Sequence, residues 1–128
     1  MKAFAPAFIL FLSLTLSVTA QGLSKTEKKI SKIVSTNTPE AIEFLEQVVN
    51  INSGSLNLKG VREVGAVFRE GFDAIGFETE WEEMPAEMNR AGHLIATIKG
   101  GKGKKLLLIG HLDTVFEENS PFQTFEKL

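Results

Sequence analysis

The chain has 128 residues, a length that fits one domain. With 43% hydrophobic and 23% charged residues it has the composition of an ordinary globular protein, which excludes a disordered or fibrous chain. A net charge of −2 gives no electrostatic footprint for binding a nucleic-acid backbone. Because the chain has no cysteine, disulfides, thiolate metal sites and cysteine nucleophiles are excluded as well. Any chemistry has to come from histidine, carboxylates, hydroxyls or lysine.

Residues 1–20 have the layout of a secretory signal peptide. Lys2 supplies a positive charge, residues 7–18 are apolar or hydroxylic, and Val18-Thr19-Ala20 precedes Gln21. This apolar run is shorter than the roughly 20 residues that a bilayer-spanning helix needs, so we expect a cleaved signal and no stable membrane anchor. The sequence therefore predicts an exported domain over residues 21–128, in the periplasm or the extracellular space.

Three segments are predicted to be helices. Ser24 and Glu27 have the spacing of a capping box and predict the start of the first helix. Asn37-Thr38-Pro39 is predicted to stop that helix and to start a second one. Asn57 is suited to cap a third helix, and Gly76 is suited to close it. The apolar face of this third helix has helical spacing and consists of Val61, Val64, Phe68 and Phe72.

The pattern then changes to that of strands. Residues 77–82 alternate between apolar and polar, which predicts a strand with one solvated face, and residues 93–98 predict a second strand. Residues 106–109 are apolar throughout, as in a central strand covered on both faces. The order of elements predicts an α/β fold with a mixed sheet covered by helices. The sheet is expected to be incomplete, because the buried strand lies so near the last residue.

The clearest chemical signal is Gly110-His111-Leu112-Asp113-Thr114, directly after the predicted buried strand. In extended backbone, residues two apart point to the same side, so His111 and Asp113 can touch. A carboxylate that accepts from one imidazole nitrogen fixes the tautomer and leaves the other nitrogen for a metal. Spacing alone also permits a second interpretation, in which His111 is a satisfied turn residue and Asp113 makes a local turn bond.

A longer string supports the metal-binding interpretation. The segment KKLLLIGHLDTVF, with Pro121-Phe122 after it, resembles the M20 family of zinc-dependent metallopeptidases, and most closely its glutamate carboxypeptidase-like branch. The strand FETEW and the stretch GHLIATIKGGKGKK are similar to that family in order and spacing. The resemblance runs from about Pro39 to Phe125. It implies the N-terminal part of a zinc-exopeptidase catalytic domain, which hydrolyses a peptide or another amide bond and releases an amino acid.

The resemblance also implies roles for individual residues. His111 would be the first zinc ligand, and Asp113 would orient it without binding the metal. Complete members hold two zinc ions and use a glutamate as the general base, and the segments that carry the other ligands and this base have no match here. We therefore expect this chain to be inactive alone. The implied partners are a small peptide or N-acyl amino acid substrate, and a homodimer only in a complete form.

Other candidates have ordinary explanations. Glu82-Glu83 ends an alternating acidic strand and is predicted to be solvated, whereas Glu117-Glu118 follows His111 too closely to match the family's catalytic pair. His93 is expected to be a partly buried structural histidine. Two alternative functions stay open at this point: a small secreted binding or interaction module without catalysis, and a metallohydrolase that acts on a non-peptide amide.

Overall fold

A computed structural model describes residues 22–127, so the predicted signal peptide lies outside the described residues. The described residues divide into two units, with the boundary between Thr36 and Asn37. The described part contains two α-helices, a short 3-10 helix at Ala86–Met88 and a two-stranded sheet, which confirms the α/β class. In chain order the α-helices and strands are α1 (Lys25–Val49), α2 (Leu58–Ala74), β1 (Glu78–Glu82) and β2 (His93–Thr97). No described helix is long and apolar enough to cross a membrane.

Helix α1 begins where its capping sequence predicts, but it does not end where the sequence predicts. The backbone N–H of Ser24 donates to Glu27 Oε2 (2.7 Å), and the N–H of Glu27 donates to Ser24 Oγ (3.2 Å), which confirms the capping box. The predicted break at residues 37–39 is wrong, because α1 continues through Pro39 to Val49. Proline removes one backbone donor, and a long helix retains its other hydrogen bonds on both sides of that position.

Helix α2 has both of its predicted ends. Asn57 Oδ1 accepts from the N–H of Gly60 (3.1 Å), which confirms the N-cap. At the other end Gly76 has a φ of +88°, a left-handed conformation that glycine adopts at little cost. The N–H of Phe77 then donates back to Phe72 O (3.1 Å), and the two rings pack with their centroids 5.3 Å apart. This is a Schellman motif with its usual apolar contact.

The sheet is an antiparallel pair in which Glu78 lies opposite Thr97 and Glu82 lies opposite His93. The two strands alternate between exposed and half-buried residues, so one face is solvated and the other packs against α2. The core between them is small and centres on Val61 and Val64 of α2. This helix-on-sheet layer is what supports the loops that carry the candidate site.

The predicted third strand does not form in the described chain. Residues 104–110 have no regular secondary structure, and the side chains of Leu106, Leu107, Leu108 and Ile109 are 80–88% exposed. A strand is held by backbone hydrogen bonds to a neighbouring strand, and within the described residues β2 pairs with β1 instead. The apolar pattern predicts burial correctly only where a partner strand and covering helices are next to the segment.

Candidate active site

Backbone contacts bring two distant segments together at the candidate site. Gly54, in the loop between α1 and α2, forms a parallel bridge with Thr114. The N–H of Thr114 donates to Ser53 O (2.8 Å), and the N–H of Ser55 donates to Thr114 O (3.1 Å). The residue after Asp113 is therefore attached to the loop that begins α2. This attachment positions His111 and Asp113 without a third strand.

The structure places His111 and Asp113 in contact, as their spacing predicts. His111 Nδ1 lies 3.1 Å from Asp113 Oδ1. The imidazole is 89% exposed and the carboxylate 36% exposed, so the ring projects into solvent from a partly covered base. An ionised carboxylate can only accept, so Nδ1 carries the hydrogen and Nε2 keeps its lone pair. That lone pair points away from the carboxylate, as in a metal-binding histidine.

Ser55 is a site residue that sequence reasoning missed. Its hydroxyl donates to Asp113 Oδ2 across 2.5 Å, so Asp113 uses one oxygen for Ser55 and the other for His111. The Ser55 hydrogen bond, followed by that of His111, lowers the pKa of Asp113 below its ordinary value and outweighs the opposing effect of burial. Ser55 lies 58 positions before Asp113, and no spacing rule in the sequence connects the two.

The lowered pKa of Asp113 makes part of the protein's stability dependent on pH. A carboxyl group whose pKa is lower in the folded state stabilises the fold fully above its unfolded pKa of about 3.9. This contribution is lost as the pH falls through the lower folded value. We therefore expect the difference in unfolding free energy between the wild type and Asp113→Asn to be constant from about pH 7 to 5 and to shrink below about pH 4.

Urea unfolding at a series of pH values measures this difference. Glu118→Gln is the matched control, because Glu118 is an exposed carboxylate in the same region. A difference for Asp113→Asn that stays the same down to pH 2 would contradict the expectation.

Hydrogen bonds to residues 116–123 hold the loop that carries Ser55. Asn52 Nδ2 donates to Phe116 O (3.1 Å) and to Gln123 Oε1 (2.9 Å). The N–H of Leu56 donates to Glu117 Oε1 (3.2 Å). Glu117 thus contacts the loop backbone, whereas Glu118 is exposed. The residues after the His–Asp pair secure the loop on which Asp113 depends.

The pair opens onto a cleft of about 300 Å³. Its lining includes His111, Asp113, Ser55, Arg90 and His93, together with apolar side chains. His93 begins β2 as predicted, but the expectation of partial burial is wrong. It is exposed because the alternation of β2 turns positions 93, 95 and 97 to the outer face.

The first glutamate pair behaves as a surface feature. Glu82 is exposed, and Glu83 pairs with Arg62 at 2.5 Å. The guanidinium of Arg62 also lies 5.2 Å from the centre of the Trp81 ring. The pairing with Arg62 accounts for the charge of Glu83, and neither Glu82 nor Glu83 lines the cleft beside His111.

The described residues supply only part of a metal site. Among residues 22–127, no group of three or more histidine or carboxylate side chains is placed to hold a metal ion. His111 with its orienting carboxylate has the form of one ligand, whereas a catalytic zinc takes about three protein ligands. The described donor set therefore does not by itself fit a zinc ion.

Comparison with known proteins finds distant similarity to a curated enzyme. The chain is 29% identical over 92 residues to carboxypeptidase G2 from Pseudomonas sp. (strain RS-16). The matched segment covers 72% of this chain and 22% of that protein. The chain thus spans about a fifth of the length of this curated relative. No family model matches the chain, and no solved structure matches it. The similarity indicates a distant relationship to a hydrolase.

Proposed function

We propose that this chain is the histidine-bearing part of a zinc-dependent hydrolase of the M20 type, which cleaves a peptide or another amide bond and releases an amino acid. The observation that carries the proposal is the hydrogen bond between His111 Nδ1 and Asp113 Oδ1, which leaves Nε2 free. The distant similarity to carboxypeptidase G2 supports the same reaction class. The substrate would be a small peptide or an N-acyl amino acid.

The chemistry follows from what each side chain can do. His111 presents Nε2 towards solvent, and the hydrogen bond from Nδ1 to the carboxylate of Asp113 fixes the direction of the ring. A zinc ion, when bound, would polarise the substrate carbonyl. His111 would supply one ligand, and the remaining ligands and the general base would come from residues other than those described. The cleft beside His111 would admit a small substrate.

A chimaera tests the proposal. Residues 22–128 are joined to the remainder of carboxypeptidase G2, in place of its similar segment, and the product is assayed for carboxypeptidase activity and zinc content. Activity that depends on His111 supports the proposal. A chimaera that folds but has neither zinc nor activity contradicts it, and favours a secreted binding module without catalysis.

The chain alone is expected to bind zinc weakly. One imidazole and one orienting carboxylate cannot hold zinc against water and competing ligands, because a catalytic site takes about three protein ligands. After dialysis, purified residues 21–128 should contain well below one equivalent of zinc by elemental analysis. They should not hydrolyse acyl-amino acids or dipeptides. Stoichiometric zinc together with hydrolysis would overturn this expectation and show that another side chain completes the site.

We also propose that the protein is exported and that residues 1–20 are removed. The basis is the charged start, the uncharged run and the small residues before Gln21. N-terminal sequencing of the exported protein should identify Gln21 as the first residue. Retention of residues 1–20 in a membrane fraction would favour an anchor instead.

A further inference from the structure

We propose that Ser55 is a positioning residue for the His111–Asp113 pair, holding the carboxylate so that its second oxygen faces the imidazole. The inference rests on the proposed function of that pair. It adds a residue from the loop between α1 and α2, distant in sequence from the histidine motif.

The geometry indicates where the Ser55 proton goes. Its hydroxyl lies 2.5 Å from Asp113 Oδ2 and 3.3 Å from Thr114 O. A hydroxyl has one hydrogen to donate, and a hydrogen bond to an ionised acceptor is shorter and stronger than one to a neutral carbonyl. Ser55 therefore donates to the carboxylate.

This hydrogen bond limits the rotation of the carboxylate. The terminal torsion of aspartate has broad energy wells, so a carboxylate held at one oxygen can turn away from its partner. In this site Oδ2 is held by Ser55 while Oδ1 contacts His111 Nδ1. Removing the hydroxyl would leave the imidazole as the main side-chain partner of Asp113, and the imidazole itself is largely exposed.

The backbone of Ser55 is held on both sides. Gly54 packs so tightly that an added Cβ would lie 2.7 Å from Glu117 Cα. Ser55 itself bonds to Thr114 O, and Leu56 bonds to the Glu117 carboxylate. Because the hydroxyl projects from a fixed backbone, it can define the position of a more mobile carboxylate.

The imidazole tautomer reports this role directly. The chain is labelled with ¹⁵N-histidine and the ring nitrogen shifts are recorded at about pH 8.5, where an ordinary histidine with a pKa near 6.5 is neutral. The protein has two histidines, so His111→Asn assigns the signals. In the wild type we expect His111 to be mainly the Nδ1–H tautomer, because Asp113 accepts from that nitrogen.

The variants separate positioning from general stability. Ser55→Ala should shift His111 towards the Nε2–H tautomer, as Asp113→Asn does, and Ser55→Thr should restore the wild-type ratio because it keeps the hydroxyl. Thr79→Ala is the matched control, since Thr79 Oγ1 also donates to a carboxylate (Asp73 Oδ1, 2.7 Å), at the start of the sheet. It should leave the His111 signals unchanged.

The two proposals fail in different ways. If Ser55→Ala keeps the wild-type tautomer while Asp113→Asn changes it, Ser55 has no positioning role and the orienting role of Asp113 remains. If neither variant changes the tautomer, both roles are overturned. If Ser55→Ala does not fold, Ser55→Thr provides the test. A tautomer ratio in Ser55→Thr that equals that of Asp113→Asn would overturn the inference, because the hydroxyl is still present.

Discussion

Replacing His111 by alanine in the chimaera with carboxypeptidase G2 should remove nearly all turnover and the zinc site that it serves. The reason is that the proposed function makes His111 a zinc ligand, and a zinc site with about three protein ligands does not tolerate the loss of one. Turnover with an N-acyl amino acid and zinc content by elemental analysis measure the two effects. The loss of turnover in His111→Ala should exceed the 10- to 100-fold reduction typical of a residue that only orients a ligand.

Two further variants make this prediction specific. Asp113→Asn should keep the fold and lower metal affinity or activity by about 10- to 100-fold, because the amide orients the imidazole less well than the carboxylate does. His93→Ala removes the other histidine in the same cleft and should leave activity unchanged. Full activity in His111→Ala, or unchanged metal affinity and rate in Asp113→Asn, would refute the assigned roles.

Replacing Gly60 by alanine should strongly destabilise the fold. A Cβ at this position would lie 1.7 Å from Asn52 O and 2.8 Å from Asn57 Nδ2. Asn52 cannot yield easily, because its side chain is bonded to Phe116 and Gln123. We expect a loss of about 3 kcal/mol or more in unfolding free energy, the upper range for overpacking. Urea unfolding followed by circular dichroism measures it.

The same helix provides a control substitution that should raise the unfolding free energy instead of lowering it. Gly71 is exposed in α2, and an added Cβ would meet nothing closer than Phe44 Cε2 at 3.8 Å. Gly71→Ala should therefore stabilise the protein by about 0.5–1 kcal/mol, the usual gain for alanine over glycine in a helix. If Gly60→Ala unfolds at the same urea concentration as the wild type, the packing of α2 against the Asn52 loop is not as described.

Local sequence patterns predicted a feature correctly wherever the interaction that forms it joins residues close in the chain. The capping box, the Asn57 cap and the glycine end of α2 involve residues within a few positions of one another. The alternation of β1 likewise reports burial on one face, because successive strand residues point to opposite sides. The contact between His111 and Asp113 follows from the same two-residue period.

Tertiary structure decided the features that depend on distant partners. Pro39 carries a local stop signal, yet α1 continues because its other helical hydrogen bonds outweigh the loss of one donor. Residues 106–109 carry a strand signal, but no described strand pairs with them, and they stay exposed. Ser55 meets Asp113 across 58 positions only because backbone bonds attach the α2 loop to Thr114. Sequence by itself determined the local elements and the His–Asp pair, whereas the fold determined what holds that pair in place, since hydrogen bonds between distant segments leave no periodic trace in the chain.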